Sequence, residues 1–307
     1  MSEPALGDSV QRSWHRFLDV YEPLRPDLYR YCRYLSRSPW DAEDLAQDTL
    51  ARAFVTVGCT AEPPANPRAW LFRVASNLWI NRAKRDREVP TEAPEGDAAA
   101  TPEPRATREA AGTLLVRLSP QERAAVVLKD VFDLTLDEIA ETLATSIGAI
   151  KAALHRGRGK LAAPEPDEPA VPVPAALDAF CDAFNARDLD RLTALLLDTA
   201  IVEFPGLIVE HGPAAARDGS FRGTLLGCEV NDRRIGLVWP PRCEVRVHRG
   251  EPVLLWWWGS EVRSVVRVVV DGDHIASVRN YFHAPELITE VCRELGVPFQ
   301  TNGHHYW

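Results

Sequence analysis

The chain has 307 residues, 46% of them hydrophobic and 26% charged, with a formal net charge of −9. That content is too apolar for a chain disordered throughout, and at about 100–200 residues per domain it predicts two or three domains. No apolar run approaches the roughly 18 residues of a membrane helix, and Met1 to Gly7 carries Glu3 and Pro4 without an apolar core, so neither a membrane partner nor a secretory signal is expected.

Six cysteines (Cys32, Cys59, Cys181, Cys228, Cys243, Cys292) lie far apart with no C-x-x-C pair. In a chain of this length they read as reduced thiols of a cytoplasmic protein, not as a disulfide framework or zinc site. No metal and no cofactor is expected. The charge is uneven. Residues 1–163 hold 22 Lys+Arg and 23 Asp+Glu, a sum of −1, and residues 164–307 hold 13 and 21, a sum of −8. A polyanion suits the C-terminal part poorly and suits the N-terminal part only where its cations cluster.

Two segments read as linkers. Residues 88–106 hold five acidic residues and four prolines, and residues 164–174 hold five prolines in eleven. Neither can bury enough surface to fold, and proline stiffens both. The expected division is 8–88, an acidic linker 89–106, 107–163, a proline-rich linker 164–174, and 175–307.

The first part reads as helical. Asp41 to Phe54 (DAEDLAQDTLARAF) carries Leu45, Leu50 and Phe54 at helical spacing, with an acidic set Asp41, Glu43, Asp44 and Asp48. That set suits a protein partner, or a solvated helix start where carboxylates complement the dipole. Asn66 to Arg87 (NPRAWLFRVASNLWINRAKRDR) is a second helix, with Asn66-Pro67 as cap and first turn. Trp70, Phe72 and Trp79 interleave with Arg68, Arg73, Arg82, Lys84, Arg85 and Arg87, and Asn77 and Asn81 share one face. Aromatics stack on unpaired bases, cations track the backbone and amides read base edges, so the pattern suits single-stranded nucleic acid. Trp70, Val74 and Leu78 are expected in the core.

Thr135 to Arg158 (TLDEIAETLATSIGAIKAALHRGR) gives the strongest signal. Leu136, Ile139, Ala140 and Leu143 form one apolar face, Ser146 is an N-cap after a short turn, and Ile147, Ile150 and Leu154 form the next face. Two short helices so joined make a helix-turn-helix. Lys151, His155, Arg156 and Arg158 lie on the polar face of the second helix, as major-groove binding needs. The alternative is a helical hairpin whose basic face is merely solvated.

The third part reads as α+β. Ala175–Leu197 is one or two helices. Strand-like runs follow at 200–204, 235–239, 243–248, 253–258, 262–270 and 274–282, and 285–295 is helical. The short loops predict antiparallel pairing.

In order and spacing the three N-terminal motifs resemble a group IV (extracytoplasmic function) sigma factor of bacterial RNA polymerase, over residues 12–163. The resemblance implies two all-α domains, a region-two helical bundle and a region-four helix-turn-helix. It implies that Asp44, Leu45, Gln47 and Asp48 bind the β′ clamp of core RNA polymerase, with the β flap as a further contact. It also implies that Asn77, Asn81, Arg82 and Arg85 contact the minus-ten promoter DNA, and Lys151, His155, Arg156 and Arg158 the minus-thirty-five duplex. The acidic linker would thread the polymerase's positive cleft. The sequence departs from the family at Asn81, often Asp or Glu, at Ala144, often Gly, and at Ala153, often Arg.

Residues 175–307 resemble a SnoaL-like domain, a cone-shaped α+β fold of the ketosteroid-isomerase type, on FNARDLDRLTALL, VEF and VRNYFHAPEL. That implies a pocket for a small-molecule ligand lined by Phe204, Trp239, Trp256, Trp258, Tyr281 and Phe282, with Trp257 on the opposite face. Glu203, His211, His248 and His283 are loose candidates for a general base, each more simply read as structural, and His304-His305 reads as surface. The sequence-level reading is a non-enzymatic promoter-specificity factor whose C-terminal domain regulates it in cis. The alternative is a SnoaL-like isomerase, hydrolase or ligand sensor fused to a degenerate sigma module.

Overall fold

The computed structural model describes residue 15 and residues 17–58, 64–88, 118–160, 173–226 and 241–304. The chain divides into two units, Met1–Pro166 and Asp167–Trp307. Among the described residues no helix is long and apolar enough to cross a membrane. The acidic linker 89–106 lies outside the described residues, as does all of 164–174 but its last two positions.

In unit 1 helical residues 17–21 lead into a 3-10 turn, Glu22–Leu24, and three helices follow: α1 (Arg25–Ser36), α2 (Pro39–Gly58) and α3 (Pro67–Glu88). In α1, Leu28, Tyr31, Cys32 and Leu35 recur at helical spacing and are buried. In α2, Trp40, Ala42, Leu45, Ala46, Leu50 and Ala53 are buried. The core face of α3 differs from the expected one. Leu71, Phe72, Ala75 and Ser76 are buried, whereas Trp70, Val74 and Leu78 are half-buried. The face is rotated by one residue so that Phe72 packs on Tyr31 at 4.6 Å and Ser76 Oγ meets Tyr31 Oη at 2.7 Å.

One buried charge pair crosses this bundle. Arg25 donates to Glu43, with side chains 4% and 0% exposed, and Gln47 Nε2 donates to the same carboxylate at 2.8 Å. Glu43 therefore leaves the acidic surface expected for α2 and becomes part of the interior.

Three more helices complete unit 1: α4 (Pro120–Asp130), α5 (Leu136–Thr142) and α6 (Ile147–Lys160). Capping boxes open the first two, Ser119 with Glu122 and Thr135 with Glu138. Ser146 Oγ caps α6 by accepting from the Ala149 N–H at 3.2 Å. Ile139, Ala140, Ile150 and Leu154 are buried as expected; Ile147, in the first turn of α6, is 37% exposed and is not part of the core. Ala144, in the turn, sits at φ 49°, the left-handed region that favours glycine. That is the physical sense of the departure seen at this position. Gly157 of α6 is fixed by packing, since a Cβ there would meet Val126 Cγ2 of α4 at 2.9 Å.

The two helical groups of unit 1 share an aromatic seam. Phe132 meets Phe72 at 5.0 Å and Tyr31 at 5.8 Å, both edge-on. Arg30 lies 4.7 Å and Arg68 5.4 Å from its ring centroid. Arg123 of α4 donates to the Leu35 carbonyl and stands over the Trp79 ring at 5.6 Å.

Unit 2 runs α7 (Ala175–Asn185), α8 (Leu189–Ala194), β1 (Leu196–Phe204), β2 (Ile208–His211), α9 (Gly212–Ala216), α10 (Arg222–Leu226), β3 (Arg242–His248), β4 (Glu251–Trp258), β5 (Glu261–Asp271), β6 (His274–Asn280) and α11 (Pro285–Glu294). The six strands form one sheet in the order β2-β1-β6-β5-β4-β3. β3 to β6 are an antiparallel meander, as their short turns require. The pairing of β1 with β6 is parallel, against the all-antiparallel expectation. The long excursion between these two strands, through β2, two helices and the meander, leaves their direction free of any hairpin constraint. β2 has no counterpart among the expected strands, and the expected strand at 235–239 lies outside the described residues. α7 and its neighbours cover one face with Phe180, Phe184 and Phe221 against Leu254, Trp256, Trp258 and Val278. Trp257 points to the other face, where Arg242 stacks on it at 4.9 Å. The observed classes, all-α followed by α+β, are those expected.

Candidate nucleic-acid interface

The first candidate surface is α3. Asn66 Oδ1 accepts from the Ala69 N–H at 3.0 Å, and Pro67 occupies the first turn, so local chemistry sets where this helix starts. With Leu71, Phe72 and Ala75 committed to the core, the opposite stripe is left to solvent. Asn77, Asn81, Lys84 and Arg85 are exposed. These provide two amides and two cations along one helix. Arg82 is half-buried and donates to Asp48 of α2 at 3.3 Å, and Arg68 is held by Asp27 at 2.8 Å. Of the aromatics expected as stacking platforms, Phe72 is 1% exposed and serves the core; Trp70 and Trp79 are half-buried.

The candidate polymerase surface on α2 is thinner than expected. Asp48 is exposed, and Asp44 and Gln47 are not fully exposed. Leu45 is 1% exposed, a core residue whose side chain has no surface to offer a partner. Its period within α2 is that of Leu50 and Ala53, which face the same interior.

The second candidate surface is α6. Its buried stripe, Ile150, Ala153, Leu154 and Gly157, packs on α4 and α5, leaving Lys151, His155 and Arg156 exposed and Arg158 half-buried. Ala153, at the position where the family often has Arg, is buried. These polar side chains are not equivalent. Arg156 donates to Glu122 at 3.0 Å, Lys160 donates to the same carboxylate at 2.8 Å, and Arg158 is paired with Asp130. Arg156 and Arg158 thus brace the base of α6 against α4, while Lys151 and His155 project from its surface.

Glu122 is the hub of that brace. Burial would raise its carboxyl, but hydrogen bonds from Lys160, the Ser119 N–H and Arg156 outweigh burial and bring it down to about 2 from an ordinary 4.5. A carboxyl so depressed contributes stability above its ordinary value, and that contribution is lost as pH falls from about 4.5 towards 2. Full conversion at 1.36 kcal/mol per pH unit gives about 3 kcal/mol, and solvent screening of the exposed Arg156 and Lys160 reduces it to about 1–2 kcal/mol. Glu122→Gln keeps the capping geometry and removes the charge. Thermal melts between pH 7 and pH 3 should show a lower starting stability and a flatter acid dependence for the variant. Parallel curves would contradict the assignment.

Unit 2 carries the candidate small-molecule pocket. Trp256, Trp258, Tyr281 and Phe282 are buried, Phe204 is half-buried, and Trp239 lies outside the described residues. Trp256 meets Phe184 at 4.7 Å, and Trp258 meets Phe282 at 5.6 Å. These rings spend faces and edges on one another. Two of the four loose acid–base candidates have charged structural partners, and the ring of a third, His283, lies with Nδ1 3.4 Å from the Gly303 carbonyl oxygen. Glu203 pairs with Arg279 at 2.8 Å, and His248 pairs with Glu294 at 2.7 Å. His211 is exposed. His304 pairs with Glu286 at 3.3 Å, and His305 lies outside the described residues. Among the described residues no group of three or more His, Cys, Asp or Glu is placed to hold a metal ion.

Sequence comparison agrees with the geometry. Residues 20–89 match the family described as Sigma-70 region 2, and residues 108–161 match Sigma-70, region 4. The chain is 31% identical over 222 residues to the ECF RNA polymerase sigma factor SigG of Mycobacterium tuberculosis, covering 60% of each chain. It is 36% identical over 147 residues to the RNA polymerase sigma-E factor of Streptomyces coelicolor, covering 47% of this chain and 82% of that protein. The chain thus spans about 60% of the length of the first of these relatives. Among solved structures, it is similar to the crystal structure of the M. tuberculosis extracytoplasmic function sigma factor SigJ, with 20% identity and a TM-score of 0.35, covering 92% of this chain and 100% of that one.

Proposed function

The chain belongs to the extracytoplasmic function family of RNA polymerase sigma factors, and from that premise we propose that it is a cytoplasmic promoter-specificity subunit. In this reading it binds core RNA polymerase, recognises two promoter elements and allows initiation, and it catalyses no reaction itself. The observation that carries the reading is a pair of solvent-facing polar stripes. One is Asn77, Asn81, Lys84 and Arg85 on α3, and the other is Lys151 and His155 on α6, each backed by its own apolar anchor.

The roles follow from the chemistry. Asn77 and Asn81 offer paired donors and acceptors to the edges of unstacked bases, while Lys84 and Arg85 follow the phosphates. Lys151 and His155 stand on the exposed face of a helix of groove-filling diameter. Arg156 and Arg158 hold the angle of that helix through Glu122 and Asp130 rather than acting only as free cations. Asp44, Gln47 and Asp48 on α2 are the proposed clamp contacts, with Arg82 joining that surface to α3 through Asp48.

Run-off transcription with core polymerase and the DNA upstream of the protein's own gene tests this. The full chain is expected to initiate at one position. Lys151→Ala is expected to weaken promoter binding roughly tenfold and to reduce the salt slope of binding by about 1, the signature of one lost phosphate contact. No initiation, together with duplex binding indifferent to Lys151, would overturn the reading.

For unit 2 we propose a regulatory role in cis, in which a small-molecule ligand of this unit biases the sigma modules. Its support is the fusion of an acidic α+β unit to the two helical modules. Equal run-off yields from the full chain and from a chain ending at Pro164 would reject that role without touching the first reading.

A further inference from the structure

Cys181 lies on α7 and Cys243 on β3, the edge strand of the sheet. Their sulfur atoms are 3.2 Å apart although the residues are separated by 62 positions. The contact is not left to two thiols alone. Asn185, one turn beyond Cys181 on α7, donates through Nδ2 to the Cys243 carbonyl at 2.9 Å and accepts through Oδ1 from the Cys243 N–H at 2.8 Å. This clamp satisfies both backbone groups of Cys243 at the open edge of the sheet and holds the helix in register with it. Behind the pair, Trp256 is the cross-strand partner of Cys243 and packs on Phe184 of α7. Helix and strand are thus held together on both sides of the pair. Cys181 is 8% exposed and Cys243 3%, so Cys181 is the residue nearer to solvent.

We propose that Cys181 and Cys243 are a reversible thiol–disulfide pair, a modification site that takes a peroxide as oxidant and cross-links α7 to the edge of the sheet. A disulfide needs its sulfurs at about 2.05 Å, so closure asks for a movement of about 1.2 Å, within the reach of side-chain rotation. The steps balance. The Cys181 sulfur attacks the O–O bond of hydrogen peroxide, giving a sulfenic acid and one water. The Cys243 sulfur then attacks the Cys181 sulfur, forming the S–S bond and releasing the second water. Two thiols lose two electrons and two protons, and one peroxide becomes two waters. A thiol reductant reverses the bond by exchange.

Burial pushes the Cys243 thiol well above its ordinary value, with the neighbouring Cys181 adding to the rise. A thiol held protonated is a slow nucleophile, so the pair is expected to close over minutes to hours rather than seconds. The cross-link would lock the helix that directly follows residues 164–174, and so stiffen the part of unit 2 where the chain enters it.

The test uses the full chain. After treatment with hydrogen peroxide, acid quench and alkylation, peptide mapping without reductant should recover Cys181 and Cys243 in one cross-linked peptide, two hydrogens lighter than the sum of its parts. Dithiothreitol should return both as free thiols. The melting transition of unit 2 should rise by roughly 10 °C on oxidation, as closing a loop of this length predicts, and Cys181→Ser and Cys243→Ser should each abolish both changes. Cys292→Ser is the control and should leave them in place. Should a serine variant fail to fold, the mapping of the unaltered chain still decides the matter. Recovery of both cysteines alkylated after oxidation, conversion of Cys181 to a sulfinic acid without a cross-link, or pairing of either cysteine with Cys59 or Cys228 would overturn the proposal.

Discussion

Glu43→Ala is expected to cost unit 1 about 3–5 kcal/mol, the usual penalty for stripping one partner from a buried ion pair. The carboxylate is 0% exposed, and it receives Arg25 and the Gln47 amide together. Without it, the Arg25 guanidinium remains 4% exposed near the buried Cys32 and loses its carboxylate partner. Set against a total stability of about 5–15 kcal/mol for a domain of this kind, the loss leaves a small remainder. Urea titration followed by helical circular dichroism should show a strong fall in midpoint. Glu43→Gln should fall between the two, because it keeps a hydrogen-bond acceptor and loses the charge. The double change Arg25→Met with Glu43→Leu should recover most of the stability, since an apolar pair avoids the desolvation cost altogether. A stability for Glu43→Ala within about 1 kcal/mol of the parent would show that water reaches the pair.

Glu43 also shows where sequence reasoning reaches its limit. In DAEDLAQDTLARAF four acidic residues look alike, and the helical period assigns Leu45 and Leu50 to the interior correctly. Nothing in that stretch says that one carboxylate is drawn inside, because its partner Arg25 stands 18 residues earlier on another helix. Leu45 carries the same lesson in reverse. Its place in the motif implies a contact with a partner, and its period places it in the core; the period is the physical argument. Local chemistry is legible throughout. Asn66-Pro67, Ser146 and the strand turns stand where cap and turn preferences put them. So does the alternation that separates Trp257 from Trp256 and Trp258. Long-range pairing is not. The parallel β1–β6 ladder, the Cys181–Cys243 contact and the seam around Phe132 join residues whose proximity only the folded chain creates.

Phe132→Asp is expected to separate the two helical groups of unit 1 while leaving each folded. The ring is 8% exposed, lies edge-on to Tyr31 and Phe72, and is covered by the guanidinium groups of Arg30 and Arg68. Truncating such a ring costs about 3–5 kcal/mol in a core. Here the contacts bridge α1 and α3 on one side and the α4–α5 connection on the other, so the loss falls on docking rather than on either bundle. The aspartate adds the cost of a carboxylate among aromatic faces, offset in part by Arg30 and Arg68. Phe132→Leu keeps apolar volume and should give a milder form of the same change. Thermal unfolding of unit 1 should broaden or split, and small-angle scattering should report a larger radius for residues 1–163 in the aspartate variant. Hydrogen exchange should rise along the seam, at Leu35 and Trp79, where Arg123 loses its anchorage. Asn77, Asn81, Lys151 and His155 are exposed and make no part of the seam. Promoter binding in the presence of core polymerase should therefore survive Phe132→Asp, whereas it should weaken in Lys151→Ala. Loss of helix content together with the seam would mean that Phe132 belongs to one cooperative core, and that the two modules fold as one.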